Sequence, residues 1–285
     1  MVEPQANTRW SALSADPRDA IVLEQRAKVL AAAWRPRVDD RTSFLTERAS
    51  GKRVLDIGCV AHDAERMASD DWLHRHIAHA ASECLGVDVL PEGVDAMVEA
   101  GFNAVAVDLN AGPNALAGQP LFQVIVAGEL IEHVANLNML FEVAAKYLTV
   151  DGELIITTPN PYAPGRVRAG RRGAIWENAD HIMYAFPSGI AEMAERHGLL
   201  LAEATTCNPR KAQRVSALRW LKRTIHRSHY HRRGFATTIG VVRPVVLDRF
   251  DRLDRAIDWL MERVSSRHRF TGETAIYVVT RGALG

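Results

Sequence analysis

Residues 53–59 read Arg-Val-Leu-Asp-Ile-Gly-Cys, a short, mostly apolar run that ends on a carboxylate and a glycine. Similar β-branched runs recur downstream at Cys84–Val87, Ala104–Val107, Phe122–Ala127 and Glu153–Thr158. The segments between them are longer, and several have helical periodicity. Strands alternating with helices in this way predict an α/β fold with a parallel sheet. Runs that are almost continuously apolar fit strands covered on both faces. In such sheets ligands bind beyond the carboxyl ends of the strands. Asp56 and Gly58 therefore fall where chemistry is expected.

The helical segments and the strands that follow extend this pattern. A helix is predicted after Asn136, with Leu137, Leu140, Phe141, Ala144, Tyr147 and Leu148 on one face, and Asp151-Gly152 ends that connection. Another is predicted from Ser188 to a stop at Gly198, burying Ile190, Met193 and Ala194. Strands follow at Leu199–Thr205 and Thr274–Thr280, the last pairing antiparallel with the one before it. Residues 1–50 read as a helical N-terminal extension, 51–206 as the core, 207–272 as a basic and helical insertion, and 273–285 as the final strand of the core sheet.

Composition narrows the function classes. The chain has 285 residues, of which 47% are hydrophobic, enough for a large buried core. Lys plus Arg number 35 against 34 Asp plus Glu, so the net charge of +1 gives no global attraction to nucleic acid or anionic membrane. Three widely spaced cysteines, Cys59, Cys84 and Cys207, fit reduced thiols better than a disulfide framework. Without a signal-like N-terminus or an apolar run long enough to span a bilayer, the expected location is the cytoplasm.

Further carboxylates end the next two strands: Leu85-Gly86-Val87-Asp88 and Val105-Ala106-Val107-Asp108. Asp88 sits where it could accept from both hydroxyls of a ribose, and Asp108 where an adenine amino group could be read; each could equally be a helix cap. A nicotinamide-binding fold would share the sheet. The three-glycine fingerprint it needs is absent here, and Gly58 lies further from Asp88 than the usual ~20 residues.

Together Val54–Gly58, Gly86–Asp88, Val107-Asp108 and Val124–His133 resemble the successive motifs of class I S-adenosylmethionine-dependent methyltransferases, over residues 50–206. Gly-Glu-Leu-Ile-Glu-His at 128–133 and Thr-Thr-Pro-Asn-Pro at 157–161 resemble the small bacterial members similar to ubiquinone-biosynthesis O-methyltransferases. Enzymes of this sort also occur among genes for surface polysaccharides. The resemblance implies a Rossmann-like sheet of seven strands, mostly parallel with an antiparallel last strand, and S-adenosylmethionine as cofactor. It places Asp56 and Gly58 at the methionine and ribose portion, Asp88 at the ribose hydroxyls and Asp108 at the adenine. Gly128 and Glu129 would flank the reactive end. The chain departs from the family at Val60 and His62, which stand where glycines are often found.

Catalysis falls to Glu132, His133 and His181. A hydroxyl acceptor needs a base, and either histidine suits proton transfer near neutrality. Glu129, Glu132, His133 and His181 could instead hold a divalent ion that polarises the acceptor, as the resemblance also implies for RNA 2′-O-methyltransferases and some quinone methyltransferases. The same Glu-His pair could simply brace the loop under the cofactor. Residues 160–173 read as a mobile loop, with Trp176, Tyr184 and Phe186 as aromatic walls for an acceptor. The basic segment 210–233 could touch a membrane surface, a phosphorylated acceptor or RNA, or form a solvated helix face. The preferred reading is O-methylation of a small molecule or glycan. Its rivals are metal-assisted RNA 2′-O-methylation and a cofactor-binding protein without turnover.

Overall fold

In a computed structural model the described residues are 10–60, 67–171, 173, 178–207 and 270–281. Residues 208–269 of the expected insertion, His62 and Trp176 lie outside them, while Cys207, expected to open the insertion, ends a strand of the core. The elements in chain order are α1 (Ala20–Ala33), α2 (Arg41–Ala49), β1 (Arg53–Ile57), α3 (Leu73–Ala80), β2 (Glu83–Asp88), α4 (Pro91–Glu99), β3 (Ala104–Ala106), β4 (Phe122–Gly128), α5 (Asn138–Tyr147), β5 (Leu148–Pro159), α6 (Pro164–Arg171), α7 (Pro187–Arg196), β6 (Leu199–Cys207) and β7 (Thr274–Arg281). The strands form one sheet of order β3-β2-β1-β4-β5-β7-β6. All pairings are parallel except those of β7, which runs antiparallel between β5 and β6. This is the seven-stranded Rossmann-like sheet with an antiparallel last strand.

The period of two along each strand assigns its faces. Leu55, Ile57, Leu85, Val87, Ile125, Ala127, Leu154 and Ile156 enter one core layer with Leu140, Phe141 and Ala144 of α5 and Ile190 and Ala194 of α7. Val54, Val124, Val126, Ile155, Ile276 and Val278 enter the opposite layer with Leu45 and Ala49 of α2 and Ile77 of α3. Asp56 follows Leu55, so it falls on the α3 side. This parity fixes the polar partner described below.

Several boundaries differ from the sequence reading. Asp151-Gly152 does not end a connection but lies within β5, which starts at Leu148 and takes up the extra residues in a register shift against Phe122 and Val124. Residues 164–171, expected as loop, form α6, tied back by Arg166, whose guanidinium donates to the Glu273 carbonyl at 2.8 Å. β3 stops at Ala106 rather than Val107. The N-terminal segment also adds to the sheet edge: Trp34 and Val38 bridge β6 in parallel, with the Arg35 amide donating to the Ala204 carbonyl and that of Val38 to the Thr206 carbonyl, both at 3.0 Å. Such pairing covers an edge that would otherwise expose unpaired backbone groups. Among the described residues no helix is long and apolar enough to cross a membrane.

Candidate active site

The strand order reverses between β1 and β4, and at this switch point the loops leaving the two strands diverge and open a crevice. A cavity of about 570 Å³ occupies it. Eight of the sequence-predicted residues line it: Asp56, Gly58, Asp88, Gly128, Glu129, Glu132, His133 and His181. Asp108 does not. It is exposed at the start of a 3₁₀ turn, where its Oδ1 accepts from the amide and the side-chain nitrogen of Asn110, both at 2.9 Å. The adenine role expected of Asp108 is therefore not matched by its position. A short edge strand that ends two residues earlier leaves Asp108 free to make this local turn.

The floor is glycine where bulk would intrude. Gly58 has φ +78°, accessible to glycine without strain, and a Cβ there would lie 3.0 Å from Leu130 Cδ1. A Cβ on Gly128 would lie 2.8 Å from Leu73 Cδ2. Asp88 is fixed from both sides: Oδ2 accepts from the Val60 amide at 2.9 Å and Oδ1 from the Leu90 amide at 3.1 Å. Each oxygen keeps a further lone pair for a ligand. Val60, a departure from the glycine pattern, thus serves Asp88 through its backbone and packs on α4 through its side chain.

The opposite wall carries the acid–base groups. The buried Glu132 carboxylate accepts from the Thr158 hydroxyl at 2.9 Å, and its Oε1 has no hydrogen-bond partner among the described residues. The Ile182 amide donates to the Glu132 carbonyl at 2.8 Å, which draws His181 to the same wall. The His133 and His181 rings meet edge to face, 4.7 Å between centroids, and Asp180 Oδ2 lies 3.1 Å from His133 Nδ1. Glu132, His133 and His181 each offer one ligand atom, all within 4.8 Å of one another. Glu129 holds a left-handed backbone, φ +53°, uncommon outside glycine, with its amide bonded to the Thr157 carbonyl at 2.8 Å. Its carboxylate faces the Arg41 guanidinium at 3.2 Å.

Burial pushes the Glu132 carboxyl up to about 7, helped by the nearby Glu129 charge. The native state then holds this proton where the unfolded chain, near the ordinary 4.5, has lost it. The contribution is complete below the unfolded value and disappears as pH rises through the folded one. Wild type should therefore lose on the order of 2–3 kcal/mol more stability between pH 5 and 8 than Glu132→Gln does. Urea denaturation of both proteins at the two pH values measures the difference.

Two lining residues were not apparent from sequence. Arg41, at the start of α2, is the only Lys or Arg among the described residues of the wall, against six carboxylates. His74, on α3, is buried against Asp56, with Nδ1 2.8 Å from Oδ2. The pairing of His74 with Ile77 on one face of a short helix was the available hint of burial, while nothing local in sequence places Arg41 near the strand ends.

The family profile described as "Methyltransferase domain" matches residues 23–204, more than half of the chain, and the chain belongs to that family. Its sheet is the class I S-adenosylmethionine-dependent methyltransferase fold. A chain of the complex between the Haloferax volcanii Trm112 methyltransferase activator and a methyltransferase superposes with a TM-score of 0.50 at 14% identity, over 97% of this chain and 99% of that one. An S-adenosylmethionine-dependent methyltransferase from Archaeoglobus fulgidus gives 0.47 at 15% identity, over 92% and 99%. A TehB-like methyltransferase from Corynebacterium glutamicum gives 0.39 at 23%, over 66% and 88%. No match was found among curated proteins.

Proposed function

We propose that this protein transfers the methyl group of S-adenosylmethionine to a hydroxyl of a small-molecule or glycan acceptor. The observation that carries the reading is the meeting, in one cavity, of a glycine-floored wall bearing Asp88 with a wall bearing a histidine backed by a carboxylate. The cavity volume of about 570 Å³ suits a nucleoside-sized ligand with room for an acceptor group. Six lining carboxylates against one guanidinium match a cofactor with a sulfonium, an ammonium and a single carboxylate. Gly58 and Gly128 let the strand ends pack against Leu130 and Leu73, which a Cβ at either position would crowd. On this reading Asp88 accepts from the ribose hydroxyls, Arg41 receives the amino-acid carboxylate, and Val89 and Leu90 on the rim cover the base.

Bound there, S-adenosylmethionine supplies an activated methyl group on a sulfur that departs as a neutral thioether. The protein's own work is alignment and proton removal. His133 takes the acceptor proton, and Asp180 orients the ring and stabilises the imidazolium that results. His181, packed edge-on, narrows the choice of ring orientations. Glu132 braces this wall from below through Thr158 and Ile182.

A second reading, in which Glu132, His133 and His181 hold a divalent ion for acceptor polarisation, RNA ribose included, is favoured by the 4.8 Å clustering of their ligand atoms. Methyl-labelled cofactor incubated with cell extract, split into small-molecule, glycan and RNA fractions with and without a strong chelator, tests both. Label in small molecules or glycans that survives chelation supports the first reading. Label in RNA, or its loss on chelation, supports the second. On the first reading the acceptor is one met in the cytoplasm, of the quinone or glycan kind, with segment 210–233 touching a membrane surface.

A further inference from the structure

We infer that the methyl acceptor is an amphiphile, whose hydroxyl-bearing head enters the cavity while its hydrocarbon part lies along an apolar stripe of Ile182, Phe186 and Tyr162. This rests on the methyl-transfer reading above and narrows its acceptor to molecules with a substantial apolar body. The stripe starts at the catalytic wall. His181 lines the cavity, and Ile182, the next residue, is 60% exposed although its amide is bonded to the Glu132 carbonyl at 2.8 Å. Four residues further on, Phe186 is 45% exposed and meets the Tyr162 ring, itself 49% exposed, at 5.6 Å between centroids. No other Phe, Tyr or Trp among the described residues is exposed.

This exposure is held in place. The Ala185 carbonyl accepts from the buried Tyr277 hydroxyl at 3.1 Å, the Tyr162 amide donates to Asn160 Oδ1 at 3.0 Å, and the Tyr162 ring packs on Phe270 at 6.2 Å. A fixed backbone that presents an isoleucine and two aromatic rings to water beside a cavity marks a binding surface. The chemistry of the stripe selects its ligand. Of the three side chains only Tyr162 carries a hydrogen-bonding group, so sugar hydroxyls laid there would lose water without replacement. A hydrocarbon chain or ring gains from the same surface in proportion to the area it covers. The cavity is the opposite, walled by six carboxylates and a guanidinium. A polar cavity that opens onto an apolar stripe fits a molecule with the same two halves.

The test is calorimetric titration of the full chain, with S-adenosylhomocysteine bound, using two homologous pairs: 4-ethylphenol against 4-hexylphenol, and methyl against hexyl β-glucoside. A fully buried methylene is worth about fourfold in affinity, and one lying on an open stripe about twofold, so the longer phenol should bind at least about tenfold more tightly. In the double variant Ile182→Ser, Phe186→Ser, which changes exposed side chains and keeps the backbone bonds, that gain should fall below about threefold. No gain with chain length for either head, or a gain that the variant keeps, would overturn the inference. Methyl glucoside bound as tightly as its hexyl homologue would overturn it in favour of a glycan. Light scattering tests the other occupant: a wild-type dimer that the variant turns into a monomer would give the stripe to a second copy and overturn the inference too. Should the variant fail to fold, the Ile182 Cδ1 methyl resonance of wild type replaces it. That resonance should move with 4-hexylphenol, and one indifferent to it would overturn the inference equally. S-adenosylhomocysteine failing to bind would remove the cofactor reading and the acceptor role of the stripe with it, whereas a missing chain-length gain in protein that binds it overturns this inference alone.

Discussion

Asp88→Ala should bind S-adenosylmethionine about 100-fold more weakly than wild type while staying folded. The side chain ends β2 with each oxygen fixed by one backbone amide, from Val60 and Leu90. Its remaining lone pairs face the cavity that it lines. Two hydrogen bonds to a charged acceptor at about 1.5 kcal/mol each give about 3 kcal/mol, and each 1.4 kcal/mol is tenfold in affinity. Removing the carboxylate also frees the Val60 amide, so the loop after β1 loses an anchor in the same stroke. Calorimetry reads the affinity and a thermal melt the fold. Asp108→Ala is the internal comparison: that exposed side chain caps Asn110 and lies outside the cavity, so cofactor affinity should remain within about twofold of wild type, the scatter expected for an independent site.

The second large effect concerns the opposite wall. His133→Ala should lower kcat on a hydroxyl acceptor by about 10²- to 10⁴-fold, the usual contribution of a positioned base. Cofactor affinity should barely change, because no bond in the glycine-floored wall depends on the ring. Steady-state kinetics with the acceptor found by label tracing, paired with cofactor titration, separates the two effects. Asp180→Asn should give a smaller loss, since the ring remains but loses its orienting carboxylate. A drop in cofactor affinity equal to the drop in kcat would place His133 in binding and leave the base unassigned.

The sheet was legible because its signals are short-range. Runs such as Val54-Leu55 and Val124–Ala127 announce strands, and Gly198, with φ +70°, closes the helix before β6 as expected. Eight site residues were legible because topology alone brings the carboxyl ends of parallel strands to one rim. What stayed hidden depends on three-dimensional juxtaposition. Arg41 reaches the rim only through the packing of Leu45 and Ala49 beneath the sheet. His74 meets Asp56 only because α3 crosses the face that residue's parity selects. Asp108 went the other way. Its strand is three residues long, and an Asx-type turn with Asn110 outcompeted extension toward the rim. The stretch 164–171 read as loop, because two glycines and a proline outweigh its helical period until Arg166 is anchored on Glu273.

The central claim is that the crevice between β1 and β4 holds a nucleoside whose sulfur faces the His133 wall. The most direct measurement is a crystal structure of the full chain with S-adenosylhomocysteine. The ribose hydroxyls should lie within hydrogen-bonding distance of Asp88, with the thioether turned toward Glu129 and His133. A nucleoside bound elsewhere, or seated with its sulfur away from His133, would contradict the account.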